Sequence, residues 1–287
     1  MTLHLMERVA VEDDGIEGAA GDPVFCVHGL GGSSNTWTPM MGALSRQRVL
    51  RIDLPGSGLS QRAEGPLTLS RYVEALLMVC DRLGLRRAHW LGHSLGSIVC
   101  QHLAVRAPER VSSLLLFGPL SAPVDAARQG LRARAAKARA EGVAGMHDIA
   151  LQMVQSALSS DTRQRNPLAV AFVRDSLMRA DPEAYARTCE ALADAQSAAV
   201  DRITAPVLLI TGDEDAVAPP QGVRVLADRM HGSANVRNVV LPRCGHWTPL
   251  ERAEECSREA LAFLASVARI PRNAARVAAF RTEMTHG

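Results

Sequence analysis

The 287-residue chain has no Cys-x-x-Cys pair, almost no lysine, no marked excess of charge of either sign and no long apolar run. Its six cysteines, Cys26, Cys80, Cys100, Cys189, Cys244 and Cys256, stand far apart. That spacing suits neither a zinc site nor a disulfide framework. Several fall within apolar runs, as small buried residues do. Thirty-two basic against thirty acidic side chains leave a formal charge of +2. There is no clustered positive surface of the kind a phosphate backbone requires, so nucleic acid is not an expected partner. Lys137 is the only lysine, and we attach no mechanism to that bias. No segment approaches the roughly 20 apolar residues that span a bilayer. The first twenty residues hold Glu7, Glu12, Asp13 and Asp14 without a continuous apolar stretch, unlike a secretory leader. The expectation is a soluble cytoplasmic protein with no membrane partner.

With 47% hydrophobic and 22% charged residues, the chain has a globular composition, which excludes disordered, collagen-like and disulfide-scaffold classes. Its length suits one large α/β domain carrying an insertion. Short runs rich in Val, Ile and Leu occupy residues 23–28, 48–54, 88–92, 111–118, 206–212 and 235–241. Runs apolar on both faces suit strands of a parallel sheet covered by helices. Helical periodicity lies between them, at 69–83 and 249–267 for example, which predicts a mostly parallel, doubly wound α/β sheet with right-handed crossovers.

The alternation breaks from about residue 121 to 200. That stretch is rich in Ala and Arg, is punctuated by Pro123, Pro167 and Pro182, and lacks strand-like runs. About 80 residues is too long for a loop in a compact domain, so a helical insertion capping one edge of the sheet is expected. The organisation predicted is a core at 1–120 and 201–270, a helical cap at 121–200 and a polar, basic tail at 271–287. The tail is read first as a frayed end, with a terminal helix or a partner-contacting arm as alternatives.

Gly92-His93-Ser94-Leu95-Gly96 is a GxSxG sequence after a predicted strand and before a predicted helix. A serine on that sharp turn has strained backbone angles and neighbours with no space for a Cβ, and its hydroxyl is lifted out at the sheet edge. A serine hydroxyl is a poor nucleophile at neutral pH. It needs a base to take its proton and a carboxylate to orient that base. His246 is the candidate base, because it follows the last predicted strand, whereas His102, His147, His231 and His286 do not sit on a post-strand loop. The preceding strand is followed by Asp213, Glu214 and Asp215. Asp215 lies at the far end of this loop, where it can reach His246; turn formation and helix capping are the plainer roles for Asp213 and Glu214. Two amides are candidates for an oxyanion hole: that of Leu95, after the nucleophile, and that of Leu30, in the glycine-rich stretch 28–32. His28 is expected to brace that loop by hydrogen bonds.

Together, HGLGG (28–32), DLPGSGLS (53–60), GHSLG (92–96), GDEDAVAP (212–219) and GHW (245–247) resemble the α/β-hydrolase superfamily, over residues 23–267. In that family the acid stands three residues after the glycine of GxxD, which favours Asp215. The resemblance also implies a structural role for Asp53. The stretch from Tyr185 to Pro220 looks most like 3-oxoadipate enol-lactonases and their carboxylesterase relatives. The implied activity is hydrolysis of a carboxylic ester or lactone by a Ser94, Asp215 and His246 triad, on a small molecule and without metal or cofactor. A carbon–carbon bond hydrolase of vinylogous diketones with the same triad is one alternative, and a non-catalytic ligand receptor on the same fold is another. A homodimer is compatible with the sequence.

Trp37, Trp247 and Met153 are candidates for the substrate pocket. Met146, Leu151, Val154, Leu158, Phe172 and Leu177 share their helical spacing with Met153 and are read first as the cap's own core. Arg128, Arg132 and Arg134 are read first as a solvated helix face, with recognition of a substrate carboxylate as the alternative.

Overall fold

Side chains of the central strands point alternately to two faces, and both faces are buried, so the sheet is held between two apolar layers. In β3 (Val24–Val27), Phe25 and Val27 join one layer while Val24 and Cys26 join the other. In β6 (Val111–Phe117), Leu114 and Leu116 face the first layer, Leu115 and Phe117 the second. A computed structural model describes residues 1–16, 21–60 and 64–269. The predicted tail from Pro271 to Gly287 lies outside the described residues.

Among these residues eight strands form one sheet. The others are β1 (Thr2–Met6), β2 (Val9–Asp14), β4 (Val49–Asp53), β5 (Ala88–His93), β7 (Val207–Gly212) and β8 (Val236–Leu241). Their spatial order is β1-β2-β4-β3-β5-β6-β7-β8. β1 and β2 pair antiparallel, β2 is antiparallel to β4, and the remaining pairs are parallel. The α/β-hydrolase fold expected from the motifs is the fold observed, and the six strands expected from apolar runs match β3 to β8 within two residues. The β1–β2 hairpin goes beyond that reading.

From β3 the chain steps outward to β4, then crosses back to β5 on the other side of β3. The strand order therefore reverses between β3 and β5, and in open α/β sheets the crevice beyond the carboxyl ends of the strands at such a point is where ligands bind. Helix α1 (Leu69–Arg82) joins β4 to β5 and α2 (Leu95–Arg106) joins β5 to β6. The Thr68 hydroxyl caps α1 by accepting the Arg71 N–H, a contact typically worth about 1 kcal/mol.

Between β6 and β7 run α3 (Asp125–Ala157), α4 (Ser160–Arg165), α5 (Pro167–Met178) and α6 (Pro182–Ala193). Pro167 and Pro182 open their helices rather than breaking them, because a first-turn residue has no intrahelical acceptor for its N–H. The Asn166 and Asp181 side chains cap those same turns. At Gly142 the backbone turns to φ 57° and ψ −130°, so α3 is two helical pieces meeting at a kink. The chain then continues through α7 (Pro220–Arg229), α8 (Thr248–Glu251) and α9 (Ala253–Ala268).

One sequence-based expectation is overturned. Trp37 does not reach a pocket. It is fully buried in the layer shared with Met40, Leu44 and Phe263. Its ring meets that of Phe117 edge to face, with centroids 5.4 Å apart at 77°.

Candidate active site

Ser94 follows β5 directly, with φ 52° and ψ −116°, a region that residues with a Cβ rarely adopt. The two glycines of GxSxG permit this turn. A Cβ on Gly96 would lie 2.3 Å from the Val27 carbonyl oxygen, and one on Gly92 would lie 2.6 Å from that of Gly96. A larger residue at Gly96 would push the elbow away from β3, and one at Gly92 would push β5 away from the first turn of α2.

His246 Nε2 lies 2.8 Å from Ser94 Oγ, and His246 Nδ1 lies 2.9 Å from Asp215 Oδ2. All three residues are buried. The other Asp215 oxygen accepts the N–H groups of Val217 and Ala218 at 2.8 and 2.7 Å. Burial alone would raise the Asp215 pKa. The opposing charge of His246, its hydrogen bond and the two amides outweigh this and hold the carboxyl below its usual range. Asp213 accepts the Cys244 N–H and Glu214 accepts the Ser160 N–H at the start of α4, so each holds a turn and only Asp215 meets the imidazole.

The loop after β3 lies against Ser94. A Cβ on Gly29 would come 2.8 Å from that of Ser94, which places Leu30 beside it on the wall of the same cavity. Leu95 is the first residue of α2, so its N–H belongs to the helical turn that has no intrahelical acceptor. His28 braces this loop. It accepts the Leu54 N–H at Nε2, 3.0 Å away, which leaves Nδ1–H to donate to the Gly29 carbonyl at 2.8 Å. Burial lowers the His28 pKa, against the pull of nearby Asp53, so the ring remains the neutral tautomer this pattern needs. Asp53 accepts the N–H groups of Ser34 and Leu59. From α5, the Ser176 hydroxyl donates to the Gly31 carbonyl at 2.6 Å.

Two residues with no role in the sequence reading hold His246 and its loop in place. His93 is buried, donates from Nε2 to the His246 carbonyl at 2.9 Å, and lies ring to ring with His246 and Trp247. Burial, and then the neighbouring imidazole, push its pKa down to about 3. The buried Glu251 carboxylate accepts the N–H groups of Gly245, Trp247 and Ser159 at 3.0, 3.0 and 2.8 Å. A reverse contact completes this tie, since the His246 N–H donates to the Ala157 carbonyl at 2.7 Å. The signal for Glu251 was a carboxylate five residues after the candidate base, but its partners are backbone groups that no side-chain pattern reveals.

A cavity of about 540 Å³ opens onto Ser94 and His246. Met153 and Trp247 line it, as do Leu177 and Arg134. Met146, Val154 and Leu158 are buried in the core instead, while Leu151 is exposed and Phe172 faces a different cavity.

A mostly parallel sheet with an elbow serine, a buried Asp–His pair and a covering of helices is the architecture of the alpha/beta hydrolase fold. Residues 22–253 match the family model of the alpha/beta hydrolase fold, and the chain belongs to this family. It is 33% identical over 256 residues to a dihydrolipoyllysine-residue acetyltransferase component of the acetoin cleaving system of Pseudomonas putida, a match covering 86% of this chain and 64% of that protein. It is 30% identical over 254 residues to a 2-hydroxymuconate semialdehyde hydrolase of Pseudomonas putida, covering 85% and 88% of the two chains. Among solved structures, the enol-lactonase from Burkholderia xenovorans LB400 is similar with a TM-score of 0.83 at 29% identity, covering 92% of this chain and 100% of that one. Among the described residues no helix is long and apolar enough to cross a membrane.

Proposed function

We propose that the protein is a serine hydrolase that cleaves a carboxylic ester or lactone through an acyl-enzyme intermediate. The observation that carries this reading is the unbroken chain from Ser94 Oγ through both nitrogens of His246 to the Asp215 carboxylate. Ser94 Oγ attacks the acyl carbon as its proton passes to His246 Nε2. Asp215 keeps Nδ1–H in place and stabilises the imidazolium. The negative charge that develops on the carbonyl oxygen meets the amides of Leu30 and Leu95, donors typically worth about 3 kcal/mol each. Collapse expels the alkoxide, which takes the proton from His246. A water then attacks the acyl group while His246 removes its proton, and the carboxylic acid leaves with Ser94 restored.

In this reading α3 to α6 act as a cap whose Met153 and Leu177 shape the substrate wall, over a core formed by residues 1–120 and 201–270. Trp247, beside the base, is the remaining pocket residue. The similarity to an enol-lactonase supports a lactone or ester as substrate. The similarity to a semialdehyde hydrolase supports one alternative, cleavage of a carbon–carbon bond by the same three residues. Purified protein offered p-nitrophenyl esters, lactones and vinylogous diketones separates these readings. Ester or lactone turnover with rapid fluorophosphonate labelling of Ser94 supports the first. Turnover of diketones alone replaces it with the second, and no labelling where a control hydrolase reacts removes both.

A further inference from the structure

Helix α5 brings two consecutive side chains onto the loop after β3. The Ser176 hydroxyl donates to the Gly31 carbonyl at 2.6 Å, across 145 residues of chain. Leu177 packs on the same glycine, since a Cβ on Gly31 would lie 2.3 Å from Leu177 Cδ2. A serine inside a helix ordinarily points to solvent or returns its hydroxyl to the carbonyl four residues before it. Ser176 is half-buried and reaches across to another segment instead. It does not line the cavity in front of Ser94. It lines a separate cavity of about 530 Å³, together with Gly31, Gly32 and Asp53.

The bond from Ser176 enters a series of peptide groups that ends beside Ser94. Residues 29 to 32 form a tight turn, closed by the Gly32 N–H donating to the Gly29 carbonyl at 3.0 Å. Gly31 stands third in this turn with φ 72°, the sign a type II turn has at that position. The Gly31 carbonyl and the Gly32 N–H belong to one planar peptide, and the Gly29 carbonyl and the Leu30 N–H belong to the other. In a trans peptide the two groups point opposite ways, so a donor held on the carbonyl fixes the direction of the N–H. The Ser176 hydroxyl thus acts on the Gly31–Gly32 peptide, whose N–H acts on the Gly29–Leu30 peptide, whose N–H is the Leu30 donor. His28 Nδ1–H holds the Gly29 carbonyl as well, at 2.8 Å. Gly29, Gly31 and Gly32 are buried, and in such surroundings successive hydrogen bonds polarise one another.

We propose that Ser176 is a positioning residue for the oxyanion donor: its hydroxyl aims and polarises the Leu30 N–H through the two peptides of the turn. The proposal rests on the serine hydrolase reading and adds to it a side chain that does not line the substrate cavity. Charge on the carbonyl oxygen develops only as Ser94 attacks, so Ser176 acts on the rate of the chemical step and not on substrate binding. A clamp that merely seated α5 would act on stability and on the cavity wall, and so on KM.

The test compares the wild type with Ser176→Ala and Ser176→Thr on a p-nitrophenyl ester. Complete loss of an oxyanion donor costs about 10²- to 10³-fold in kcat, so a misaimed donor in Ser176→Ala is expected to cost about tenfold, with KM within about twofold. Ser176→Thr keeps the hydroxyl and restores kcat to within about threefold of the wild type. An alkyl trifluoromethyl ketone forms with Ser94 an adduct that carries the oxyanion, and its affinity falls in Ser176→Ala by the same factor as kcat/KM. Unchanged kcat and ketone affinity, an effect on KM alone, or an equal loss of kcat in Ser176→Thr overturns the proposal. Should Ser176→Ala not fold, Ser176→Cys, whose thiol is a weak donor, decides by the same comparison. Should the wild type neither turn over the ester nor take up fluorophosphonate, the catalytic reading has failed. The amide proton resonances of Leu30 and Gly32 then decide the peptide coupling by themselves: both move upfield in Ser176→Ala if the hydroxyl polarises the turn, and unmoved resonances overturn it.

Discussion

The Ser159 N–H donates to Glu251 Oε2 at 2.8 Å across 92 residues of chain. That bond fastens the corner between α3 and α4 to the loop that carries His246, and the same carboxylate holds Gly245 and Trp247. The helices between β6 and β7 therefore wall the cavity and also help to hold the loop of His246.

Removing that carboxylate tests the tie. Glu251→Ala leaves three buried N–H groups without an acceptor and is expected to cost about 3 kcal/mol or more in stability, read as a lowered midpoint of chemical unfolding. Glu251→Gln keeps the shape but sets an amide NH₂ against one backbone donor. It is expected to lower kcat about tenfold or more with KM little changed, in steady-state kinetics on a turned-over ester.

Ser94→Ala is expected to lower kcat by about 10⁶, by analogy with other serine triads, and to abolish fluorophosphonate labelling while the circular dichroism spectrum is retained. Adding His246→Ala to Ser94→Ala should cost almost nothing further, since the residues act as a unit. Retained turnover in the single variant would remove Ser94 from the mechanism.

The three adjacent carboxylates separate by their partners. Asp215→Asn is expected to lower kcat by about 10⁴, because the amide favours the wrong imidazole tautomer. Asp213→Asn, which alters only the acceptor for the Cys244 N–H, should leave kcat within a few-fold. The kcat ratio of the two variants decides between them.

Acid should destabilise the fold in a defined window. His93 takes its proton near its ordinary value, about 6.5, in the unfolded chain, but only at about 3 when folded. Between those values the unfolded state binds more protons, so stability is complete above about pH 6.5 and falls as pH drops toward 3. Asp215, lowered in the folded state, adds to this loss at still lower pH. His93→Gln removes one titration while keeping an N–H able to reach the His246 carbonyl. Its unfolding free energy should fall less steeply from pH 6.5 to 4 than that of the wild type. Equal slopes would exclude His93 as a source of acid sensitivity.

Trp37→Ala is expected to destabilise by about 3 to 5 kcal/mol through loss of core packing, with KM for a small ester little changed. Trp247→Ala, on the cavity wall, should alter KM. A large KM effect at Trp37 would contradict its burial against Phe117.

The central sheet was legible because its strands are buried on both faces and so read as continuous apolar runs. The hairpin was not. β1 is largely exposed and β2 carries Glu12, Asp13 and Asp14, which Arg48 and Arg51 neutralise by ion pairs. These pairings between strands and a neighbouring loop leave no trace in an apolar pattern. That Ser94, His246 and Asp215 come together was legible from motifs, since the nucleophile, base and acid proposed here need fixed residue types at strand ends. Glu251 and His93 act through backbone groups, some of them far along the chain, so residue type alone was silent. Trp37 misled because nearness to the loop after β3 does not say which face of the sheet a side chain joins. Arg134 separates from Arg128 and Arg132 only once helix rotation and the carbonyls of Ala193 and Ala195 are known.

The kink at Gly142 divides labour along α3. The arm before it carries Leu131 and Arg134 to the cavity, and the arm after it carries Met153 and ends at Ala157, whose carbonyl receives the His246 N–H. A joint lacking any side chain thus stands between two segments that both line the cavity, the second of which is also tied to the loop of His246. Changes to the first arm can reshape the cavity while leaving the Ala157 contact with His246 in place, whereas changes to the second touch wall and loop together.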